Sequence, residues 1–133
     1  MPTHLIHRGL AKKNFKENTL PAFKYSFRKK YGIETDLQVT KDNQLICFHD
    51  FNLREKFKLN KNVKDINYFN LRKISNKIKA PVPLLKDLLK ISKNKYPLLL
   101  EIKPLLTKQS LLSLIKLIKK TKNVEYSHLM KKI

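Results

Sequence analysis

The chain has 133 residues, about the length of one domain, and its 41% hydrophobic content is enough for a buried core. Its 30 lysines and arginines outnumber its ten acidic residues and give a net charge of +20. The sequence contains no apolar run long enough to span a membrane. Its single cysteine, Cys47, cannot form an internal disulfide.

The first residues show no basic segment followed by a long apolar run, so we expect no secretory signal. The lone cysteine and the lack of a signal-like segment favour a cytoplasmic location. The length favours a single domain over residues 1–133. A surface this basic attracts polyanions. The lysines are scattered and no stacking pattern of aromatic residues accompanies them, which favours a solvated surface over nucleic-acid recognition. A non-enzymatic basic module that binds nucleic acid or anionic lipid remains the alternative function.

The predicted elements alternate between strands and helices. Leu20, Phe23 and Phe27 recur at helical spacing, whereas residues 33–39 alternate and include β-branched side chains. In chain order we predict a strand at 5–7, a loop at 10–17, a helix capped by Thr19 and ended by Gly32, a strand at 33–39, a turn at 41–43, a strand at 44–48, a loop at 51–66, helices at 66–75 and 84–91, a strand at 98–103, a helix capped by Thr107, and a weak strand at 124–126. This order indicates a largely parallel α/β sheet, either an open doubly wound sheet or part of a barrel.

Each predicted strand becomes ionisable near its carboxyl end. The pairs are His7-Arg8, Glu34 with Asp36, His49-Asp50, and Glu101 with Lys103. Residues two apart on a strand face the same side, so Glu34 and Asp36 share a face, as do Glu101 and Lys103. In a (β/α)8 barrel these side chains would converge on the end that carries the active site.

These residue types suit the hydrolysis of a phosphate ester. Carboxylates are hard oxygen ligands for Mg2+ or Ca2+. Histidines can act as general base and general acid near neutral pH. A lysine and a metal can neutralise charge that develops on a phosphoryl oxygen. Each feature alone has a simpler interpretation, such as a hydrogen-bonded surface histidine, a solvated acidic strand edge, or an ion pair between Glu101 and Lys103.

An ordered set of motifs strengthens the catalytic interpretation. The motifs are H-R-G at 7–9, E-N-T-L-P-A-F at 17–23, G-I-E-T-D at 32–36, T-K-D at 40–42, H-D at 49–50, V-P-L-L at 82–85 and E-I-K at 101–103. In this order and spacing they resemble the glycerophosphodiester phosphodiesterases. The resemblance covers roughly residues 4–105 but only the front half of a family domain.

The resemblance implies a TIM barrel that hydrolyses glycerophosphodiesters to glycerol 3-phosphate and an alcohol. By motif, His7 and His49 would be the acid–base pair, and Glu34, Asp36 and Glu101 would bind the divalent metal. Arg8 and Lys103 would contact the phosphate. Glu17, Asn18 and Asp50 would have supporting roles. In this family the glycerol hydroxyl of the substrate is thought to attack phosphorus, giving a cyclic phosphate that water opens.

A complete (β/α)8 barrel needs about 250 residues, so this chain is expected to form about half of one, with roughly four parallel strands. A half barrel exposes two sheet edges and an apolar interior. We therefore expect self-association, a truncated product with little activity, or a stable remnant.

Overall fold

The computed structural model describes residues 5–9 and 16–125. The predicted strand at 124–126 lies partly outside these residues, as does most of the predicted loop at 10–17. The elements in chain order are β1 Leu5–His7, α1 Leu20–Arg28, β2 Gly32–Val39, β3 Leu45–Cys47, α2 Arg54–Phe57, a 3-10 turn Val63–Asp65, α3 Tyr68–Lys77, α4 Leu85–Ser92, β4 Leu98–Ile102, α5 Lys108–Lys119 and β5 Val124–Glu125. The region predicted as a loop at 51–66 therefore includes one short helix and one 3-10 turn.

Among the described residues, four strands form a parallel sheet in the order β1-β2-β4-β5. The register places His7 opposite Glu34 and Asp36 opposite Glu101. Since register partners in neighbouring strands project from the same face of a sheet, all four side chains lie on one face. This confirms the predicted parallel α/β arrangement. It also places the ionisable residues of neighbouring strands side by side.

The third strand differs from the prediction because β3 pairs antiparallel with β2. The connection is a tight turn in which the Thr40 N–H donates to the Gln44 carbonyl at 3.0 Å. The Thr40 hydroxyl also donates to Asp42 at 2.6 Å, and Asn43 adopts a φ of +60°. A connection this short closes a hairpin, whereas parallel strands need a crossover of a dozen or more residues. The fourth parallel strand of the sheet is therefore β5 and not β3.

Two threonines start helices as predicted. The Thr19 hydroxyl accepts a hydrogen bond from the Ala22 N–H at 3.5 Å at the start of α1, and Pro21 fits in that first turn. The Thr107 hydroxyl accepts one from the Ser110 N–H at 3.0 Å at the start of α5. Both caps satisfy backbone N–H groups that have no partner inside the helix.

The main core lies between one face of the sheet and helices α1, α4 and α5. Its fully buried members include Phe23, Ile33, Leu88, Leu98 and Leu114. Burying each such side chain contributes roughly 1.5–3 kcal/mol. A second cluster, centred on Ile46, Leu53 and Leu71 and their neighbours, packs beneath the hairpin. With the helices on one face, the sheet presents its ionisable residues on the other. Within residues 5–9 and 16–125, no helix is long and apolar enough to cross a membrane.

Candidate active site

A strained turn after β1 places Arg8 over the sheet. Arg8 has a φ of +59° and Gly9 a φ of +79°, and the Arg8 N–H donates to the Glu34 carbonyl at 2.6 Å. A Cβ on Gly9 would come within 2.9 Å of Phe23 Cδ1, so only glycine fits this turn. The H-R-G motif therefore fixes the direction of the arginine.

The Arg8 guanidinium lies between two carboxylates. Its Nη1 donates to Glu17 Oε1 at 2.9 Å, and its Nε lies 3.3 Å from Asp36 Oδ2. Lys103 Nζ approaches Asp36 from the other direction, 3.6 Å from Oδ1, and lies 3.5 Å from Glu101 Oε1. Asp36 is only 1% exposed, so these two cations offset the cost of burying its charge.

Glu34 has a strongly raised pKa. Burial, the nearby charge of Asp36 and a side-chain hydrogen bond with Glu101 raise the pKa of Glu34 from 4.5 to about 7, while Arg8 opposes the shift. His7 Nε2 lies 3.6 Å from Glu34 Oε1, and the His7 side chain is 64% exposed. Glu34 therefore lies between the exposed His7 and the buried Asp36 and interacts with both.

Two carboxylate oxygens in this cluster have the properties of metal ligands. Glu34 Oε1 and Asp36 Oδ2 are buried and accept no hydrogen bond from residues 5–9 or 16–125. One ligand atom from each of His7, Glu34 and Asp36 lies within 4.8 Å of the others. Buried oxygens without partners are costly unless a cation or water occupies the space between them. Two carboxylate oxygens and one imidazole nitrogen are all common ligands of divalent cations, so the residues present fit such an ion.

The charge balance of the cluster points to the same ligand. It contains four carboxylates and two permanent cations, namely Glu17, Glu34, Asp36 and Glu101 against Arg8 and Lys103. With all four acids ionised, the cations of this cluster among residues 5–9 and 16–125 leave two negative charges unbalanced, on a chain whose net charge is +20. A divalent cation would neutralise them.

His49 reaches the same end of the sheet by a different route from the other site residues. The strand before it runs antiparallel, but the chain returns along β2, where the Phe48 N–H donates to the Asp36 carbonyl at 3.0 Å. His49 Nδ1 lies 2.8 Å from Asp50 Oδ1, a hydrogen bond that holds the imidazole. With Glu17 and Asn18, His49 lines a cavity of about 300 Å³.

Two buried polar residues that the sequence interpretation missed support this site. The Thr35 hydroxyl donates to Asn18 Oδ1 at 2.7 Å, and Gln38 Nε2 donates to the His49 carbonyl at 3.1 Å. Both side chains are buried, at 0% and 2% exposure. Gln38 was recognisable in principle, because it shares the β2 face of Glu34 and Asp36. Thr35 lies on the opposite face, so its contact could not be inferred from alternation.

The structure therefore places every predicted site residue at one end of the sheet. The residues that contact one another through charge or hydrogen bonds are His7, Arg8, Glu17, Glu34, Asp36, Glu101 and Lys103. Asn18 and His49 line the cavity of about 300 Å³ together with Glu17, and Asp50 is hydrogen-bonded to His49. Cys47 takes no part as a nucleophile, since burial raises the pKa of its thiol to about 12.

Comparison with known proteins shows which protein family the sequence and the fold of this chain match. The model of the glycerophosphoryl diester phosphodiesterase family matches residues 7–132. Rat (Rattus norvegicus) lysophospholipase D GDPD1 is 37% identical over 79 residues, which is 59% of this chain and 25% of that protein. The chain thus spans about a quarter of the length of this curated relative.

Solved structures of phosphodiesterases share the fold. A glycerophosphodiester phosphodiesterase from Thermotoga maritima superposes with a TM-score of 0.77 and 26% identity, over 90% of this chain and 50% of that one. A phosphodiesterase from Oleispira antarctica, solved with its product sn-glycerol-3-phosphate, superposes with a TM-score of 0.72 and 18% identity, over 95% and 54% of the two chains. The sheet described above therefore corresponds to about half of a TIM barrel.

Proposed function

We propose that this chain, which belongs to the glycerophosphoryl diester phosphodiesterase family, carries the site that hydrolyses glycerophosphodiesters to glycerol 3-phosphate and an alcohol. One observation carries the proposal. Acidic, basic and histidine side chains from β1, β2, β4 and their loops converge at the carboxyl ends of the parallel strands. The product bound to the Oleispira antarctica relative is the product expected here.

A divalent cation, Mg2+ or Ca2+, is the proposed cofactor, held by Glu34, Asp36 and Glu101. Support comes from the buried oxygens of Glu34 and Asp36, which accept no hydrogen bond from the described residues, and from the register that aligns Asp36 with Glu101. The bound cation would supply positive charge to a phosphoryl oxygen during the reaction.

Arg8 and Lys103 are the proposed phosphate-binding residues. Both are partly exposed, and both already contact the buried Asp36. The hydrogen bond from Arg8 to Glu17 directs the guanidinium, so that it needs little reorganisation when the diester binds. The overall positive charge of the chain favours the approach of an anionic substrate.

His49 and His7 are the proposed base and acid. If His49 donates its Nδ1–H to Asp50, its Nε2 is free to take a proton from the attacking hydroxyl. The exposed His7 would return a proton to the oxygen of the departing alcohol. The attacking glycerol hydroxyl forms a cyclic phosphate as the P–O bond to the alcohol breaks. Water then forms a new bond to phosphorus as one P–O bond of the ring breaks, so one water is consumed and glycerol 3-phosphate and the alcohol leave.

The test is a hydrolysis assay on glycerophosphocholine in the presence of Mg2+ or Ca2+, with product identity read by phosphorus NMR. We expect glycerol 3-phosphate, and a loss of on the order of 100-fold or more in kcat for His7→Ala and for His49→Ala. Asp50→Asn should lower kcat less than His49→Ala. Asp65→Asn, at an exposed carboxylate, is the control. Hydrolysis that neither histidine substitution slows would refute the assigned roles.

The domain organisation is a separate proposal. We propose that residues 1–133 act as one domain whose sheet edges accept a partner, either a second copy or another half barrel. Within residues 5–9 and 16–125, β1 and β5 lie at the two ends of the strand order. An unpaired edge presents backbone donors and acceptors to other strands. Light scattering after size exclusion should give a mass of at least twice 15.8 kDa, and a monomer at all concentrations would contradict self-association.

A further inference from the structure

The end of the sheet opposite to the candidate site is covered by three connections, each of which leads from a helix into a parallel strand. They run from α1 to β2, from α4 to β4 and from α5 to β5. Each connection contains two lysines, and the last turn of each helix contributes another basic residue. Together these cations form the basic end, which consists of Arg28, Lys29, Lys30, Lys90, Lys93, Lys95, Lys119, Lys120 and Lys122.

Backbone hydrogen bonds hold the three connections side by side. The Ile33 N–H donates to the Pro97 carbonyl at 3.0 Å, which joins the start of β2 to the connection before β4. The Leu98 N–H donates to the Asn123 carbonyl at 2.8 Å, which joins the start of β4 to the connection before β5. Lysines that are scattered along the sequence therefore meet at one end of the folded chain.

The acidic side chains from Glu17 to Glu101 do not balance the charge of the basic end. All nine of its side chains are exposed, and none forms an ion pair with any of these acids. The three connections themselves contain no Asp or Glu. The carbonyl end of a helix attracts a cation, which accounts for one basic residue at each helix end but not for three. Like charges at such density repel one another, so the basic end suits an external anion.

A cleft of about 470 Å³ lies within this region, between the carboxyl ends of α1 and α4. Its wall includes Phe27, Ile91 and Tyr96. Its cations are Lys24, Arg28, Lys90 and Lys93, and no acid is among the described residues that line it. The volume is within the range of small-molecule sites, so the cleft can admit one anionic head group.

The composition of the basic end favours a lipid surface over nucleic acid. Eight of its nine cations are lysines, whose mobile point charges suit diffuse attraction, whereas arginine provides a planar fork for individual phosphates. Two aromatic rings in this region already have partners. Tyr96 is stacked on Phe27 at 4.8 Å, with Lys95 Nζ 5.3 Å from its ring, and Arg28 lies 5.6 Å from the ring of Tyr25. Proteins that bind single-stranded nucleic acid stack bases on such rings.

We propose that the basic end docks the chain onto a membrane surface of anionic phospholipids. Each basic residue close to such a surface strengthens binding by about fivefold, and the contributions of several residues multiply. The carboxylate cluster lies at the opposite ends of the same strands, so a docked chain presents the candidate site to the aqueous phase. Docking and catalysis are therefore compatible, and the inference does not depend on the proposed function.

Vesicle sedimentation tests the docking. The full chain is mixed with vesicles of phosphatidylcholine, with or without phosphatidylserine. We expect binding only where phosphatidylserine is present, and loss of most of it at about 1 M salt, where the Debye length falls to about 3 Å. The triple substitution Lys29→Glu, Lys93→Glu and Lys122→Glu changes one residue in each connection and should weaken binding by about 100-fold or more. Wild type that does not bind these vesicles at low salt would refute the proposal.

The matched control makes the same change of charge in the segment after β3. The triple substitution Lys58→Glu, Lys61→Glu and Lys64→Glu alters three exposed lysines, and Lys58 shares the positive φ of Lys93. It should weaken binding by less than about fivefold. Urea denaturation should show that both triple variants fold as wild type does. Equal weakening by both would attribute binding to net charge and refute docking through the basic end.

Amine labelling tests the orientation without any substitution. Mass spectrometry should show that phosphatidylserine vesicles protect the lysines of the basic end, whereas Lys58, Lys61 and Lys64 stay reactive. Protection of neither set, or of both equally, would contradict docking through this end.

An oligonucleotide experiment decides between the two kinds of polyanion. At physiological salt the chain should bind phosphatidylserine vesicles more tightly than a single-stranded oligonucleotide. Oligonucleotide binding that the Lys29→Glu, Lys93→Glu and Lys122→Glu chain loses, together with no binding of wild type to the vesicles, would assign the basic end to nucleic acid and refute the lipid partner.

Discussion

At the scale of single residues, the pKa of Glu34 depends strongly on the surroundings of its side chain. Burial beside Asp36 and Glu101 raises its pKa from 4.5 to about 7. Between pH 4.5 and about 7, Glu34 in the folded, cation-free chain keeps a proton that it has released in the unfolded chain. The stabilisation from this proton is complete below pH 4.5 and is lost as the pH rises through 7.

We therefore predict that Glu34→Gln stabilises the cation-free chain at high pH. The free energy of unfolding should exceed that of wild type by about 2 kcal/mol at pH 8, and by much less at pH 5. Urea denaturation in EDTA at the two pH values measures this difference. Glu55→Gln, which removes an exposed carboxylate, is the control and should show no such dependence. An equal effect of Glu34→Gln at both pH values would contradict the prediction.

At this scale the sequence predicted which side chains meet at the end of the sheet, but it did not predict their properties. His7, Glu34, Asp36 and Glu101 could be named because each stands at the end of an apolar run. The raised pKa of Glu34 depends on burial and on two neighbours, Asp36 in β2 and Glu101 in β4, and no local pattern encodes this combination. The close grouping of His7 with the carboxylates likewise required the strand register.

At the scale of elements, the β2–β3 hairpin shows where sequence patterns are insufficient. Period-two alternation predicts strands at 33–39 and near 44–48 but does not give the direction of the second one. Direction depends on the length and hydrogen bonding of the turn at Thr40–Gln44. The hairpin returns the chain to Asp36, so His49 still reaches the end predicted for it.

The link between β2 and the segment before α1 provides the prediction at this scale. Thr35→Val keeps the shape of the side chain but leaves the buried Asn18 Oδ1 without its donor. We expect a loss of about 1–3 kcal/mol in the free energy of unfolding, together with a lower kcat because Asn18 borders the site. Thermal or urea denaturation measures the first effect and the hydrolysis assay the second.

Thr121→Val is the matched control for this change. The Thr121 hydroxyl donates to the Ile118 carbonyl at the half-exposed end of α5, where water can replace it. It should cost less than about 1 kcal/mol and leave kcat unchanged. If the two substitutions have equal effects on stability and kcat, the Thr35–Asn18 bond has no special role in the site.

At the scale of the whole molecule, the net charge of +20 acts on encounter with the substrate. We predict that kcat/KM for glycerophosphoglycerol, an anionic diester, falls several-fold between about 10 mM and 150 mM salt, since salt screens long-range attraction. Zwitterionic glycerophosphocholine is the matched control and should respond less.

The same experiment addresses the alternative of a basic binding module. If salt leaves kcat/KM unchanged while a single-stranded oligonucleotide competes with the substrate, the charge serves a polyanion partner instead. Oligonucleotide affinity would then fall steeply with salt, in proportion to the number of phosphate contacts. The scattered lysines favour a solvated surface over nucleic-acid recognition.

The central claim is that the carboxylate cluster forms a cation-dependent phosphodiesterase site, and one measurement tests it most directly. Glycerol 3-phosphate release from glycerophosphocholine is followed while Mg2+ or Ca2+ is titrated into EDTA-treated, dialysed chain, for wild type and for Asp36→Asn. The account predicts no release without cation, saturable recovery on addition to wild type, and no recovery for Asp36→Asn. Release that is independent of added cation, or equal recovery in the variant, would contradict it.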